Sequence, residues 1–475
     1  MYILDQLARL LDRPFFPWKN VLVGFSLGQF ILEGLLSFRQ YKVLQRTKPP
    51  QVLEKEVSQE VFDQSQSYGR AKAKFSFFAG LYGQIQNLAV IYGNVLPKLW
   101  GASGLLLLRY FPARFQGEIM QTLVFIFGFN LISTVMSLPV SYYNTFVLEE
   151  KFGFNKQTFK LWVTDMLKGQ MLGIVLGAPI ISAVLKIVQK TGNSFFYYLW
   201  LFGVFVQVFA ITIYPIVILP LFNKLSPLEP GDLKTGVENL AKKLNFPLQE
   251  LHVIDGSKRS AHSNAYFYGL PWKKHIVIYD TLIEKSEPEE VVAVLSHELG
   301  HWSLSHTTKL FGIAQSHMFY IFALFSVFVN NKSLYQSFGF VKEQPIMIGF
   351  LLFSDALAPM DAIVKLLMNI LSRKFEFEAG TVKTAPRHDP SRATNTITDA
   401  FALKLGYQEK LASSLLKLQI QNLSTMDADW MYASYHYSHP ILSERLKALG
   451  WKGGKVTDLK AEDSEKPVKA ADREL

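Results

Sequence analysis

Long apolar stretches separated by polar loops recur along the first three quarters of the chain. A helix needs about 20 mostly apolar residues to cross a bilayer. Five stretches lack Asp, Glu, Lys and Arg, and two more contain only a few of them: 75–97, 119–148, 169–185, 191–223 and 310–331, then 20–38 and 345–370. The charges in the last stretch (Asp355, Asp361 and Lys365) are expected to face an interior or water. The pattern therefore predicts an α-helical polytopic membrane protein with seven transmembrane helices.

The main polar segment, 224–309, contains both amphipathic and β-branched runs. Its patterns predict helices at 234–244 and 287–310, strands at 251–254 and 276–279, and a half-exposed strand at 263–268. Acidic residues after Ser286 favour a helix start, because they lie at the positive end of the helix dipole. The tail 452–475 is charged and poor in aromatic residues, so it is predicted to be disordered.

The charge distribution predicts the orientation in the membrane. The chain is 49% hydrophobic and only 19% charged, which argues against a soluble protein. Its net charge of +10 has no nucleic-acid motif beside it, and basic loops at a membrane surface explain it better. The loops 39–74 and 149–168 carry eight and four Lys or Arg, against three or fewer in each loop on the other side. This excess predicts that these loops, the 224–309 insert and the C-terminus are cytosolic and that the N-terminus is lumenal.

The helix predicted at 287–310 carries the strongest chemical motif. His297 and His301 are four residues apart, so they share a helix face and can hold one zinc ion. Glu298 beside them can take a proton from a metal-bound water, as in metalloproteases with this spacing. The alternative is a solvated helix with incidental histidines. The chain has no cysteine, which excludes thiolate ligands and cysteine nucleophiles.

A third zinc ligand is needed, and the residues alone leave it open. A metzincin would place a histidine where this chain has Thr307, and His306 is one residue off that register. His306 is therefore expected to be a surface residue or a neighbour of the ligands. Glu376 and Glu378, just after the seventh apolar stretch, are the competing carboxylates.

Polar residues elsewhere can assist hydrolysis. The amide of Asn264 can bond a substrate backbone or a developing oxyanion, although a turn asparagine is the simpler interpretation. His439 can stabilise a tetrahedral intermediate, and Arg445 can orient a carboxylate, although a histidine in a polar loop is more often structural.

Several segments together resemble the integral-membrane CAAX prenyl protease 1 family, also known as a-factor-converting enzyme and, in animals, the prelamin A protease. The segments that carry the resemblance are 143–151, 256–269, 297–302, 373–379 and 436–440. The resemblance implies a seven-helix barrel around a large chamber, with a gluzincin-type zinc protease domain that has a small β element. It also implies removal of the last three residues from prenylated CAAX proteins, and in some members a second upstream cut.

The resemblance also implies roles and a location. Glu376 would be the third zinc ligand, with Asn264 and His439 beside the scissile peptide and Arg445 near them. One zinc per chain, prenylated CAAX substrates and membrane lipid are the expected partners, with no nucleic acid. The expected location is the endoplasmic reticulum membrane and also the inner nuclear membrane.

One departure from the family pattern concerns the end of the Glu376 helix. The nineteen residues 380–398 separate Ala379 from Asp399, and without them Asp399 would lie four residues after Glu376 on the same helical face. There it could orient a zinc-bound histidine. The insert is either a tolerated loop or a translated intron, and as a break one turn after a ligand it is expected to be a handicap.

These predictions divide the chain into five parts. They are the N-terminal membrane region 1–223 with five transmembrane helices, the cytosolic insert 224–309, helices six and seven in 310–371, the C-terminal catalytic part 372–451 interrupted by 380–398, and the tail 452–475. A membrane quality-control metalloprotease of broader specificity is the alternative enzyme. A transporter, or an inactive structural protein, would have no need of the zinc helix.

Overall fold

The computed structural model describes residues 2–270, 272–378, 405–449 and 451. The 380–398 insert, Asp399 and the tail 452–475 lie outside the described residues, as does the side chain of Glu378. The α-helices of the N-terminal half are α1 (Tyr2–Leu11), α2 (Trp18–Val43), α3 (Gln59–Tyr92), α4 (Val95–Tyr110), α5 (Glu118–Tyr142), α6 (Phe159–Thr191), α7 (Phe195–Ile213) and α8 (Leu219–Phe222). Those that follow are α9 (Asp232–Lys243), α10 (Asp280–Lys285), α11 (Pro288–Ser303), α12 (His306–Phe328), α13 (Lys332–Ser337), α14 (Ile346–Glu378), α15 (Gln408–Gln421), α16 (Trp430–His436) and α17 (Leu442–Ala448).

Long apolar helices dominate the fold, as the hydrophobic pattern predicts. Five helical stretches of the described chain are long and apolar enough to cross a membrane: Trp18–Val43, Glu118–Glu149, Phe159–Phe222, His306–Phe328 and Ile346–Glu376. The 64-residue stretch contains both α6 and α7. These two helices pack against each other, so the 3-10 turn Gly192–Ser194 between them reverses the chain. The protein is a polytopic helical membrane protein.

The predicted span 75–97 is not among these five stretches. Its residues fall at the end of α3 and the start of α4, and polar side chains lower the hydropathy of α3. Gln84 and Asn87 of α3 form hydrogen bonds with Ser26 of α2 at 3.0 and 2.9 Å. Polar groups that bond to a neighbouring helix belong on an interior face, which is why the stretch is less apolar than a lipid-facing span.

The soluble part is built on a four-stranded sheet in the order β1 (Leu225–Pro227), β2 (Leu248–Ile254), β4 (Lys273–Tyr279) and β3 (Ala265–Leu270). β2 and β4 are parallel, whereas β1 and β3 pair antiparallel on the outside. One sheet face contributes Leu251, Ile276 and Ile278 to a core that includes Val291, Leu295 and Leu299 of α11 and residues of α9. This core fixes α11 against the sheet.

The continuous helix predicted over 287–310 is wrong, because the helix is interrupted after Ser303. The backbone N–H of Leu304 donates to the Gly300 carbonyl and that of Ser305 donates to the Trp302 carbonyl, and Ser305 adopts a left-handed conformation with φ of 58°. That conformation cannot continue a right-handed helix. The chain changes direction there, and His306 begins α12.

Candidate active site

Two helices supply the residues of the candidate metal site. His297 and His301 lie one turn apart on α11, and Glu376 lies near the end of α14. One ligand atom from each lies within 4.8 Å of the others, and His297 and Glu376 are 4% and 3% exposed. The structure therefore brings together the two motif histidines and Glu376, one of the two competing carboxylates.

The spacing of these atoms suits a tetrahedral metal ion. His297 Nε2 lies 3.4 Å from Glu376 Oε2, and His301 Nε2 lies 3.2 Å from Glu376 Oε1. Ligand atoms about 2.0–2.1 Å from a tetrahedral zinc ion are roughly 3.3 Å apart, so little movement would separate this arrangement from a coordinated one. Two imidazoles and a carboxylate are also the donor set of known catalytic zinc sites with an open fourth position. The residues fit a zinc ion.

The N-terminal half of α11 is fixed by a buried ion pair. Glu290 is 3% exposed, and its carboxylate accepts hydrogen bonds from Lys417 and Ser413 of α15, each at 2.8 Å. Burial acts to raise the pKa of Glu290, but the bonds from Lys417, the Glu287 backbone and Ser413 outweigh it and lower the pKa below its ordinary value. The charged carboxylate ties α11 to α15.

His306 is buried behind His301, so the expectation of a surface residue is wrong and the alternative of a neighbour to the ligands holds. His306 is 2% exposed, and its Nδ1 lies 3.1 Å from Nδ1 of His301. The ring also stacks on Phe375, next to Glu376, at 4.6 Å between centroids. The turn at Ser305 produces this contact, which sequence spacing on a continuous helix could not predict.

His439 lies beside the three candidate ligands. Its Nδ1 is 2.6 Å from Oε1 of Glu376, although the side chain is 64% exposed. The hydrogen bond to Glu376 raises the pKa of His439 above its ordinary value, and the charge of Glu298 acts in the same direction. His439 and Glu298 therefore flank the same site.

Arg445 contacts the far side of His297. Its Nη2 lies 3.4 Å from Nδ1 of His297, whereas Nε2 of that ring faces Glu376. The next residue back, Glu444, accepts two hydrogen bonds from Arg373, at 2.9 and 3.2 Å. Arg373 lies three residues before Glu376, so this pair joins α14 to α17 next to both functional residues. Sequence reasoning missed the pair, and the three-residue spacing was the available signal.

Asn264 lies at the start of the edge strand β3. Its side-chain oxygen accepts the Ala265 N–H at 2.8 Å, and its backbone carbonyl accepts the Tyr279 N–H at 3.1 Å. No hydrogen bond or ion pair in the described part of the chain joins it to the ligands. Among the described strands β3 pairs only with β4, and it packs along α11, the helix that carries His297 and His301.

A cavity of about 650 Å³ opens beside His439. Residues from α2, α3, the loop before β3 and the α15–α17 region line it, among them Gln40, Tyr68, His262, Asn422 and His439. This space gives a peptide room beside His439, whose Nδ1 contacts Glu376.

Two family descriptions match adjoining parts of the chain. Residues 40–224 match "CAAX prenyl protease N-terminal, five membrane helices", and residues 227–451 match "Peptidase family M48". CAAX prenyl protease 1 of Saccharomyces cerevisiae is 45% identical over 462 residues, which cover 94% of this chain and 98% of that protein. The CAAX prenyl protease 1 homolog of Homo sapiens is 38% identical over 473 residues, covering 90% of this chain and 94% of that protein.

A solved structure is also similar. The crystal structure of S. mikatae Ste24p has a TM-score of 0.84 and 46% sequence identity, covering 92% of this chain and all of that chain. The likeness therefore extends over the membrane helices and the soluble part together.

Proposed function

The chain belongs to the M48 peptidases of the CAAX prenyl protease 1 type, and from that membership we propose that it removes the last three residues of prenylated CAAX proteins. The main support within the molecule is the convergence of His297, His301 and Glu376. The protein is a metalloendopeptidase, and the zinc ion, the substrate and the roles of individual residues are parts of the proposal. A second cut upstream in the substrate is compatible with the same site.

Zinc would be held by His297, His301 and Glu376, one ion at this site. When bound, it would acidify a water molecule and polarise the scissile carbonyl. Glu298 would take the proton of that water and pass it to the leaving amine. His439 would donate a hydrogen bond to the oxygen that becomes negative, as its position beside Glu376 and Glu298 allows.

The substrate peptide would lie along β3. An edge strand presents unpaired N–H and C=O groups, to which an extended peptide can add as a further strand. Asn264 at the start of β3 would hold the substrate backbone beside the scissile bond. Arg445, whose Nη2 lies 3.4 Å from the ring nitrogen of His297 turned away from Glu376, would orient a carboxylate of the substrate, because a guanidinium only donates hydrogen bonds.

We place this site in a seven-helix barrel around a chamber, in which α3 is a crossing in addition to the six that the apolar stretches provide. In this arrangement the N-terminal membrane region is 1–223, the zinc insert is 224–309, and the last two membrane helices lie in 310–371. The C-terminal catalytic part is 372–451, and the tail is 452–475. The location would be the endoplasmic reticulum membrane, with the inner nuclear membrane as a second, lipid as the surroundings and nucleic acid not a partner. The N-terminus would be lumenal and the zinc site cytosolic.

A release assay tests the proposal. The purified protein is expected to release a tripeptide from a farnesylated CAAX peptide, to stop when a chelator is added, and to recover with zinc. His297→Ala and His301→Ala should lose both zinc and release. Equal cleavage of an unprenylated peptide and of unfolded proteins would favour the quality-control alternative, and full zinc occupancy in both variants would refute the ligand assignment.

A further inference from the structure

A second group of metal-binding side chains lies on the sheet, away from the active site. Glu250 and His252 belong to β2, and His275 belongs to β4. β2 and β4 are parallel neighbours, with Glu250 directly opposite His275. Side chains two residues apart on a strand share a face, so all three point to the same side of the sheet.

The face of the sheet that carries these three residues is opposite the face that packs against α11. Leu251 and Ile276 alternate with the three residues and point into the core shared with α11. The sheet therefore separates this group from His297 and His301, and a ligand bound here would not touch the catalytic centre.

The distances match those of the active site. His252 Nε2 lies 3.1 Å and His275 Nδ1 lies 3.4 Å from the same oxygen of Glu250, and one ligand atom from each residue lies within 4.8 Å of the others. The corresponding distances at the active site are 3.4 and 3.2 Å. Two imidazoles and one carboxylate at this spacing form the same donor set, roughly 3.3 Å apart as tetrahedral zinc requires.

The rings are held in place and partly shielded. The His252 and His275 side chains are 18% and 15% exposed, whereas that of Glu250 is 58% exposed. His275 stacks on Tyr268 of β3 at 5.0 Å, and the two histidine rings lie 6.0 Å apart and nearly parallel. Two fixed imidazoles and an open carboxylate leave one side accessible to an incoming ion and its water.

One ring nitrogen of the group lacks the hydrogen bond that a simple ion pair would supply. Nδ1 of His275 lies 3.4 Å from Glu250 and is buried without a hydrogen bond among the described residues, a cost that a metal bond would remove. Lys273 is the unfavourable neighbour, since its charge opposes a cation.

We propose that Glu250, His252 and His275 form a second zinc site, which links β2 to β4 outside the catalytic centre. Nitrogen donors select zinc-type transition metals over calcium and magnesium, which prefer oxygen ligands. The site supplies three protein ligands, so water completes the coordination. The inference does not depend on the substrate of the enzyme.

Zinc counting on the full-length, detergent-purified protein tests the site, after removal of any polyhistidine tag. At saturation in a buffer of micromolar free zinc, the wild type is expected to bind two zinc ions per chain. His252→Ala, His275→Ala and Glu250→Gln should each bind one, as should His297→Ala, and His252→Ala combined with His297→Ala should bind none. Glu238→Gln, on the neighbouring helix α9, is the matched control and should keep two.

Peptidase activity shows that the variants are folded. His252→Ala and Glu250→Gln should retain release of the farnesylated tripeptide while losing the second zinc. Cobalt substitution in His297→Ala should give a visible absorption spectrum that His275→Ala in the same background abolishes. A wild type that stops at one zinc, or a second zinc that survives all three variants, would overturn the proposal.

Discussion

His306 is the residue whose role depends most on the turn at Ser305. With His301 Nε2 toward Glu376, its Nδ1–H can donate to Nδ1 of His306, 3.1 Å away. Such a partner fixes the tautomer and orientation of a metal-bound histidine. His306→Phe preserves a ring against Phe375 but removes the acceptor, so zinc affinity is expected to fall about 10–100-fold.

A zinc-chelator competition titration measures that loss. His306→Asn restores an acceptor and should recover part of the affinity, and Thr307→Val is the neighbouring control. Unchanged zinc affinity in His306→Phe would show that the contact does not orient His301.

Glu298 gives the second prediction at this scale. Glu298→Gln keeps the shape of the side chain but cannot accept a proton, so zinc and peptide binding should persist while turnover falls at least about a hundredfold. Single-turnover release of the farnesylated peptide measures this. Glu284→Gln on α10 serves as the surface control, and turnover within a few-fold of wild type in Glu298→Gln would mean that another base acts.

The elements differ in how far sequence predicts them. The spacing of His297 and His301 was sufficient to place both on one helical face, because the period of a helix is local information. The strands at 251–254 and 276–279 were predicted for the same reason, although β2 and β4 extend further toward their N-termini. The break at Ser305 and the bond between Arg373 and Glu444 depend on tertiary contacts, which a local pattern does not contain.

The 380–398 insert gives a prediction at the scale of the element. Glu376 can hold a metal ion only if the end of α14 is fixed. The sequence of 380–398, with Gly380 and two prolines, favours the end of a helix over its continuation. Its deletion places Asp399 four residues after Glu376 on one face. The activity of the protein that lacks 380–398 is expected to equal or exceed that of the full chain.

Asp399→Asn separates the explanations. It should reduce zinc retention in the deleted protein and have little effect in the full chain, where the carboxylate is nineteen residues further along. Loss of zinc on deletion, with both zinc and activity intact in the full chain, would show that the insert belongs to the working enzyme.

At the scale of the whole molecule, α3 decides the topology. The five apolar stretches provide six crossings, because one contains both α6 and α7. An even number returns the chain to its starting side, and α3 as a seventh crossing places the termini on opposite sides. The eight Lys or Arg of 39–74, at the end of α2, in the connection that follows and in the first part of α3, and the three of 98–118, in α4 and after it, favour the crossing.

Tags at the two ends of the chain, tested in sealed microsomes, measure whether the number of membrane crossings is even or odd. The C-terminal tag is expected to be digested by added protease, and the N-terminal tag is expected to be protected. A tag inserted in 39–74 should behave like the C-terminal one. Digestion of both terminal tags would mean six crossings and would exclude α3 as a span.

The length of α14 ties the zinc ligand to the thickness of the bilayer. Its 33 residues extend about 50 Å, whereas a hydrocarbon core is about 30 Å thick, and Glu376 lies two residues before the C-terminal end of the helix. A long helix tilts further when the bilayer is thinned. Because Glu376 lies near the end of this helix, a small change in the tilt of α14 moves its carboxylate relative to the two histidines of α11. Zinc retention is expected to differ between vesicles of short-chain and long-chain lipids. Equal retention across the series would contradict this coupling and would indicate that contacts such as that between Arg373 and Glu444 fix the end of α14 whatever the bilayer thickness.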